Sequence, residues 1–424
     1  MTEQSAKRQK TFDTPLLSGR SEVTQPAQSP LLRFLHPTHY APIQHQLMQY
    51  LHTKDVLNLC RTSYQVRSYI KAGVWNINAK LGRFVDKPEA FRSQLGRCDG
   101  LISGSFALQF LERVVWNETH LDIWLENDDT WLDMDRYLEK QEGYVCSDSP
   151  VVRPDYMPAW EYPDCYTYHK QDQSGKHTTT IRLILGDGHP IQNILHLCCT
   201  SAVVNFISWN KVFSVFPRTT FLAHETVPLH PLDDHSGGLH AKYSKRGWAM
   251  RTTPVNSTLY GTLTEFRPSP ISWTRYVGDR QSWVMPLNTD GVVGSPRPDR
   301  VLECAGWSMC CEKETVGDVW YRFYGTIRYT ISAPWIRSNV LKYSYTYGSL
   351  IKLQDELERA TLLQLTKLDT ATRKDLIKGR SPADILAGQG GFIRYSRFEK
   401  PAGWDYWDHK LPTLLARLGQ GDTQ

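Results

Sequence analysis

The spacing of apolar residues first predicts a group of short helices in the N-terminal part of the chain. Residues three and four positions apart form one apolar side of a first helix: Ile43, Leu47, Met48 and Leu51. A second helix is predicted to begin near Thr53, whose hydroxyl can cap it. Two or three short helices within about 40 residues cannot enclose a core alone, so we expect them to pack on the following domain.

Residues 98–222 alternate between strand and helix patterns, which predicts an α/β unit. In order, the patterns favour a strand at 101–102, a helix at 107–115, a strand at 121–125, a helix at 128–142, a strand at 178–185 and a helix at 190–206. The stretch from 150 to 175 is rich in Pro, Tyr and Asp, and it is predicted to be a loop or an insertion.

The patterns weaken after residue 223. Residues 320–331 are aromatic and β-branched, which predicts a strand, and leucines at helical spacing predict a long helix over 349–367. Gly-Asp precedes both Trp283 and Trp320 by a few residues, which predicts two hairpins of one sheet with each tryptophan on its buried face.

A cluster of histidines and aspartates lies within residues 225–245. Its members are His230, Asp233, Asp234, His235 and His240. Imidazole and carboxylate are both good metal ligands, so a metal clip is one interpretation. The spacing is loose and turn-forming residues surround it, so an exposed polar loop is the favoured prediction.

Composition narrows the classes of function. A chain of 424 residues with 40% hydrophobic content buries ample core, and its net charge of +5 is mild, with both signs mixed along the sequence. We therefore expect no nucleic-acid partner, because such proteins concentrate basic charge on a patch. The nine cysteines lack zinc-knuckle spacing, and we find neither a signal core nor a membrane-length apolar run. The expected location is the cytoplasm, the nucleus or both, with no membrane partner.

The most informative candidate chemistry lies between Leu101 and Glu126. A turn of small residues, Ser103-Gly104-Ser105, precedes a helix, and backbone N–H groups at such a position can bind phosphate. The next strand carries His120 and Asp122 on one face, where two carboxylates two residues apart would share a hard cation. Only Asp122 is acidic. A phosphate-binding scaffold is thus predicted without a complete metal site.

Gly104, Ser105 and Asp122 resemble the pattern of nucleotidyltransferases, which implies a third acid on a neighbouring strand; the corresponding position here is predicted to be a cation. It falls on Arg182, in the neighbouring strand, and unit charges about 4 Å apart interact by roughly 4 kcal/mol at an effective dielectric of 20. We therefore favour an ion pair of Asp122 with Arg182 over Asp122 as metal ligand and catalytic candidate. Glu126 and the pair Asp128-Asp129 are less favoured replacement ligands, because they follow the strand.

The N-terminal helices resemble an F-box, a helical module that docks onto the adaptor subunit of cullin-type ubiquitin ligases. The resemblance lies in residues 42–51 and in Lys54-Asp55-Val56-Leu57-Asn58-Leu59-Cys60-Arg61-Thr62-Ser63. It implies partner contacts at Pro42, Ile43, Leu47, Leu51, Val56, Leu57 and Leu59. The usual Leu-Pro opening is Ala41-Pro42 here. A helical cap on the next domain is the equally weighted alternative.

Over residues 35–340 the chain resembles a group of fungal proteins that join an F-box-like N-terminus to a degenerate nucleotidyltransferase-like domain. Gly104-Ser105, Leu121-Asp122-Ile123 and residues 201–207 carry this resemblance. In that group the strand usually reads Ser-Asp-Leu-Asp, and here it reads Thr-His-Leu-Asp at 119–122. The resemblance implies a phosphate or nucleotide site at the turn, His120, Asp122 and Arg182.

We therefore expect an α+β fold with an F-box-like helical module, a nucleotidyltransferase-like mixed sheet with flanking helices, and a β-rich and helical extension. The expected units are a disordered tail at 1–30, the F-box-like module at 31–75, the α/β domain at 98–222, a β-rich extension at 223–340 and a C-terminal helical and irregular segment at 341–424. The leading functional hypothesis is a non-catalytic adaptor, without cofactor, that joins a ubiquitin-ligase adaptor subunit to another protein. One alternative is an active transferase that uses magnesium and a nucleoside triphosphate. Another is a structural scaffold in which neither motif functions.

Overall fold

The computed structural model describes most of the chain between Ser29 and Gln420. The described ranges are 29–36, 39–116, 120–147, 157, 163–171, 178–230, 234–251, 271–313, 327–347, 350–371, 400 and 402–420. The fold is mixed α+β, as predicted. Nearly all of the predicted tail, together with Trp320 and Asp233, lies outside these ranges.

Helices precede, flank and follow the strands. They are α1 (Pro30–Leu35), α2 (Ala41–Tyr50), α3 (Thr53–Thr62), α4 (Tyr64–Val74), α5 (Ile77–Leu81), α6 (Pro88–Arg97), α7 (Ser105–Glu112), α8 (Trp131–Lys140), α9 (Pro190–Leu197), α10 (Asp234–Lys245), α11 (Asp299–Glu303), α12 (Leu350–Thr366) and α13 (Leu411–Gln420). The helices predicted at 107–115, 128–142 and 349–367 are confirmed, within a few residues at each end, by α7, α8 and α12. In the described residues, no helix has the length and apolar character needed to cross a membrane.

The N-terminal helices share the main hydrophobic core, which confirms that they pack on the following domain. Side chains on the inner sides of α3 and α4, such as Val56 and Val66, join the same cluster as the central strands. Ser63 caps α4, because its hydroxyl accepts a hydrogen bond from the Val66 N–H at 3.1 Å. The capping role predicted for Thr53 is wrong: Thr53 is the first residue of α3, and His52 holds the N-cap position.

The strands follow one another along the chain in short segments. They are β1 (Leu101–Ser103), β2 (His120–Glu126), β3 (Val145–Cys146), β4 (Asp164–Gln171), β5 (Thr178–Gly186), β6 (Asn205–Ile207), β7 (Lys211–Ser214), β8 (Glu225–Thr226), β9 (Ala249–Met250), β10 (Ile271–Tyr276), β11 (Trp283–Pro286), β12 (Gly306–Lys313), β13 (Ile327–Ser332), β14 (Trp335–Ile336) and β15 (Tyr345–Thr346).

One mixed sheet forms the centre of the described structure. Its strand order is β11-β7-β6-β1-β2-β5-β4-β3. Strand β1 pairs antiparallel with β2, and β2 pairs parallel with β5. The strands β2 and β5 are buried along almost their whole length, as expected for central strands with both faces covered. The turn between β1 and α7 therefore lies beside the middle of the sheet.

Three sequence predictions near this sheet are corrected. The segment predicted as a loop or insertion contains β4, which pairs with β5 along its whole length. The helix predicted over 190–206 ends at Leu197, and a 3₁₀ turn and β6 follow it. The sheet also takes up β11 from the predicted β-rich extension. All three differences result from strand pairing between segments that are distant in sequence. Local sequence patterns do not predict such pairing.

The part after residue 223 also differs from prediction. Residues 234–245 form α10 instead of an exposed loop, and His240 in it is buried. Trp283 does not belong to a hairpin with the preceding strand: β10 lies in a separate sheet with β12 and β13, whereas Trp283 begins β11 of the central sheet. The predicted strand at 320–331 is observed as β13 in its described part. A second apolar cluster joins α12, α13 and the β14–β15 pair.

Candidate functional site

The predicted turn of small residues is present between β1 and α7. Gly104 has φ 72° and ψ −149°, a conformation that glycine adopts readily and residues with a Cβ atom rarely do. Ser103 ends β1, and Ser105 begins α7. The sequence therefore located the strand and the turn, and the helix begins two residues before the predicted start.

Three of the predicted site residues lie side by side on three adjacent strands. Ser103 is opposite Asp122 in the β1–β2 pair, and Asp122 is beside Arg182 in the β2–β5 pair. The Asp122 side chain is 1% exposed and that of Arg182 is 7% exposed. The structure thus brings the candidate acid and the candidate cation together in the interior of the sheet.

The two side chains form a two-pronged ion pair. Arg182 Nε donates to Asp122 Oδ1 at 2.6 Å, and Arg182 Nη2 donates to Asp122 Oδ2 at 2.9 Å. Each carboxylate oxygen therefore accepts a charge-assisted hydrogen bond from the same guanidinium, which is the strong geometry for this pair. The ion pair predicted from the sequence is confirmed.

His120 lies at the start of β2, where it is half-buried and paired in register with Thr180. It is on the same face of the strand as Asp122, as expected for residues two positions apart. His120 therefore lies where the nucleotidyltransferase pattern would have its first acid.

The acids predicted as replacement ligands lie at the other end of β2. Glu126 is four residues beyond Asp122, about 13 Å along the strand. Burial raises the pKa of Glu126, and Arg337 lies 3.8 Å from its carboxylate. Asp128 instead shapes the turn, because its Oδ1 accepts hydrogen bonds from the Thr130 N–H and hydroxyl. Neither acid is positioned to share an ion with Asp122.

The hydroxyls of the turn are directed at protein groups. Ser103 Oγ donates to the Asn205 carbonyl at 2.8 Å, and Ser105 Oγ lies 3.3 Å from the hydroxyl of Tyr243 in α10. Both serines are buried, and Tyr243 is fully buried above the helix start. Tyr243 of α10 therefore contacts the first residue of α7, at the turn that is predicted to bind phosphate. Sequence reasoning missed this contact, since α10 was predicted to be a loop.

The docking positions implied by the F-box resemblance differ in exposure. Pro42, Ile43 and Leu47 are exposed; Leu51, Leu57 and Leu59 are half-buried; Val56 is buried. A residue with no exposed surface cannot touch a partner, so Val56 serves the core. Tyr50, which the sequence analysis did not select, is 86% exposed and lies seven residues after Ile43, on the same side of α2.

A further cluster brings together residues that the sequence analysis did not select. One potential ligand atom each from His52, Glu112 and His224 lies within 4.8 Å of the other two. Burial raises the pKa of Glu112 to about 7, and burial with the nearby His52 lowers the pKa of His224. No motif could have revealed the cluster, because its members are far apart in the chain.

The histidines predicted between 225 and 245 are arranged differently. His230 Nε2 donates to the His196 carbonyl at 2.8 Å, and His240 is buried in α10. Among the residues that the structure describes, the grouping of His52, Glu112 and His224 has metal-ligand spacing, and His230 and His240 do not join it.

Comparison with known proteins adds no family to this geometry. No family model, curated protein or solved structure matches the chain. The resemblances to F-box-like and nucleotidyltransferase-like proteins therefore depend on the residues quoted above, and the functions they imply are proposals.

Proposed function

We propose that this chain is a non-catalytic adaptor, in which an F-box-like helical module is joined to a nucleotidyltransferase-like domain that has lost its metal site. The observation that carries the proposal is the ion pair of Asp122 and Arg182. It lies where, by the resemblance, a transferase of this kind would bind magnesium. The phosphate turn and the exposed side of α2 support the same proposal.

The ion pair supports loss of catalysis through simple electrostatics. Magnesium requires near-octahedral oxygen ligands at about 2.0–2.1 Å and would have to displace the guanidinium from both Asp122 oxygens. The displaced Arg182 would then be a buried cation without its carboxylate partner and beside a divalent ion, at a cost of several kcal/mol. Among the described residues, the grouping with metal-ligand spacing does not include Asp122.

The turn between β1 and α7 supports the same conclusion for phosphate. A triphosphate needs free backbone N–H groups and hydroxyls at the start of the helix. Ser103 and Ser105 are instead buried and directed at Asn205 and Tyr243. Binding would therefore require Tyr243 to move away from Ser105.

The exposed side of α2 supports an interaction role. Ile43 is 56% exposed and Leu47 is 41% exposed, and with Tyr50 they follow the i, i+4, i+7 spacing of one helix side. An amphipathic helix that leaves such a row in water has the form that partner grooves recognise. From the F-box resemblance we infer that this partner is the adaptor subunit of a cullin-type ubiquitin ligase, and the transferase-like domain would hold a second protein.

Copurification tests the adaptor role. The full chain should retain the ligase adaptor subunit, and the double change Ile43→Ser with Leu47→Ser should abolish retention without unfolding the protein, since both side chains are exposed. Leu363→Ser is the matched control, because Leu363 on α12 is also 56% exposed but lies on a different part of the chain. No retention by the native chain, or equal loss in the control, would contradict the proposal.

Nucleotide binding tests the non-catalytic role. Thermal unfolding with magnesium and ATP or GTP should match unfolding without them. A true ligand at 100 times its dissociation constant would add about 2.7 kcal/mol to the free energy of unfolding. A magnesium-dependent shift that disappears in Asp122→Ala would favour the active transferase instead.

A further inference from the structure

The C-terminal end of α7 holds a buried carboxylate next to two imidazoles. Glu112 is the last residue of α7 and is 8% exposed. His52 stands at the N-cap of α3, and His224 stands just before β8. The three residues therefore come from the F-box-like module, the central domain and a later segment, and they meet where these parts join.

Hydrogen bonding leaves these side chains directed at one another. Thr53 Oγ1 donates to Glu112 Oε2 at 3.2 Å, which fixes the carboxylate. The other oxygen, Oε1, lies 3.7 Å from His224 Nε2, beyond hydrogen-bonding distance. His224 Nε2 is inaccessible to solvent and has no hydrogen-bond partner among the described residues. A buried ring nitrogen without a partner is costly and requires an explanation.

The backbone holds His224 in this position. His224 has φ 50° and ψ 47°, a left-handed conformation that histidine adopts more often than most residues. Its N–H donates to the Thr219 carbonyl, and its own carbonyl accepts from the Ala249 N–H at 2.8 Å. A π-helix over Arg218–Ala223 leads into it. Such helices and such conformations are frequent at functional sites.

We propose that His52, Glu112 and His224 form a binding site for a first-row divalent transition metal of the zinc type. Two imidazoles and one carboxylate are a known zinc ligand set with an open fourth position for water. Magnesium and calcium prefer oxygen ligands and do not fit this set. This site is independent of the adaptor function proposed above.

The distances allow coordination with small side-chain movements. A tetrahedral ion with bonds of about 2.0–2.1 Å holds its ligand atoms about 3.3 Å apart. The candidate atoms already lie within 4.8 Å of one another. His52 is exposed, so its ring can turn towards the other two without disturbing the core, and its exposure leaves the fourth position open to water. The hydrogen bond from Thr53 supplies the outer support typical of metal-bound carboxylates.

The field at the site has opposing contributions, attractive to a cation from Glu112 and the helix end and repulsive from Arg113. The C-terminal end of a helix carries partial negative charge, so the Glu112 carboxylate adds to charge of the same sign. Arg113 is adjacent, but its guanidinium donates to the carbonyls of Met48 and Leu51 at 2.7 and 2.6 Å. A bound ion would contact Glu112 directly and would link α3 to α7 and to the segment before β8.

Zinc binding by the full chain tests the site, after chelator treatment and with folding checked by circular dichroism. We expect one Zn²⁺ per chain, and a Tm higher with zinc than with chelator. His52→Ala should weaken binding by at least about 10- to 100-fold and should fold normally, because His52 is exposed. Glu112→Gln and His224→Asn should do the same, asparagine being chosen because it tolerates the left-handed backbone.

His39→Ala is the control, since His39 is an exposed histidine of the same module outside the cluster. It should bind zinc like the native chain. Cobalt in place of zinc gives a second readout, since a nearly tetrahedral site produces strong visible absorption that His52→Ala should remove. The proposal is overturned if the native chain binds no zinc, if His52→Ala binds as tightly as the native chain, or if His39→Ala loses binding to the same extent.

Discussion

A buried carboxylate lies near each end of α7, and the two carboxylates differ in the groups that surround them. Near the N-terminus of α7, Asp122 accepts two hydrogen bonds from Arg182 on the neighbouring strand. At its C-terminus, Glu112 accepts one hydrogen bond from the neutral Thr53 hydroxyl, and His224 is too distant to donate another. The first carboxylate is paired with a cation of the chain itself, and the second is surrounded by potential metal ligands.

This difference shows that the groups nearest to a buried carboxylate decide whether a free cation can reach it. A guanidinium fixed in register by a parallel strand pair competes with any free cation, since it is always present at the carboxylate. Neutral imidazoles do not form an ion pair with the carboxylate. They therefore leave it available to a metal ion, for which their own nitrogens are additional ligands. An acid that lies near a turn able to bind phosphate is therefore not enough to predict a metal site. The charge of the groups nearest to that acid predicts it better.

The largest effect on stability is expected at the Asp122–Arg182 ion pair, near the N-terminal end of α7. Arg182→Met should leave Asp122 as an uncompensated buried charge and lower the free energy of unfolding by about 3–5 kcal/mol, measured by urea unfolding. The double change Asp122→Asn with Arg182→Met should recover much of this loss, because no charge remains. Arg136→Ala, which breaks the exposed pair with Asp133, is the control and should cost about 1 kcal/mol or less. A loss as small for Arg182→Met would mean that the pair is not buried as described.

A smaller effect on stability, which depends on pH, is expected at Glu112, at the C-terminal end of α7. In metal-free protein the pKa of Glu112 is raised from 4.5 to about 7 by burial, against the opposing influence of Arg113 and Thr53. Below pH 4.5 the carboxyl is protonated in both the folded and the unfolded chain, so it contributes nothing to the pH dependence. As the pH rises from 4.5 through 7, the unfolded chain ionises first and stability falls, by on the order of 3 kcal/mol in total.

Glu112→Gln should remove this fall in the free energy of unfolding with rising pH. Urea unfolding in chelator at several pH values measures it: the variant should match the native chain near pH 4.5 and exceed it at pH 8. His52, His224 and Asp55 also lie near α7 and α3, and they are unchanged in both proteins, so the difference between the two curves isolates Glu112. Parallel curves for the two proteins would show that Glu112 ionises freely.

The smallest effect concerns the hydrogen bond that orients Glu112. Thr53→Val keeps the shape of the side chain and removes the donor, so stability should fall by about 1 kcal/mol, and the pKa of Glu112 should rise further. Thr62→Val on the same helix is the matched control, because the Thr62 hydroxyl is exposed. Chemical denaturation measures both. Equal losses of stability in the two variants would mean that the hydrogen bond from Thr53 to Glu112 does not stabilise the fold.

Local patterns were sufficient for the parts of the site that are continuous in sequence. The strand, the Gly104 turn, the helix and the strand carrying Asp122 follow one another within about 25 residues, so periodicity and turn chemistry predicted them. The pairing of Asp122 with Arg182 was predicted from the place of a third acid in the nucleotidyltransferase pattern, whereas the parallel pairing of β2 with β5 came only from the structure. The long α12 helix was found from its leucine spacing alone.

The tertiary structure decided what distant segments do to one another. Strand β4 forms because β5 offers it a partner edge, and α10 is placed where Tyr243 can contact the turn, neither of which local composition reveals. The grouping of His52, Glu112 and His224 has the same origin. The sequence determined which chemical groups were available and which short elements they lie on, whereas the packing of elements far apart in the chain determined which groups meet, because contacts across long loops are not recorded in local periodicity.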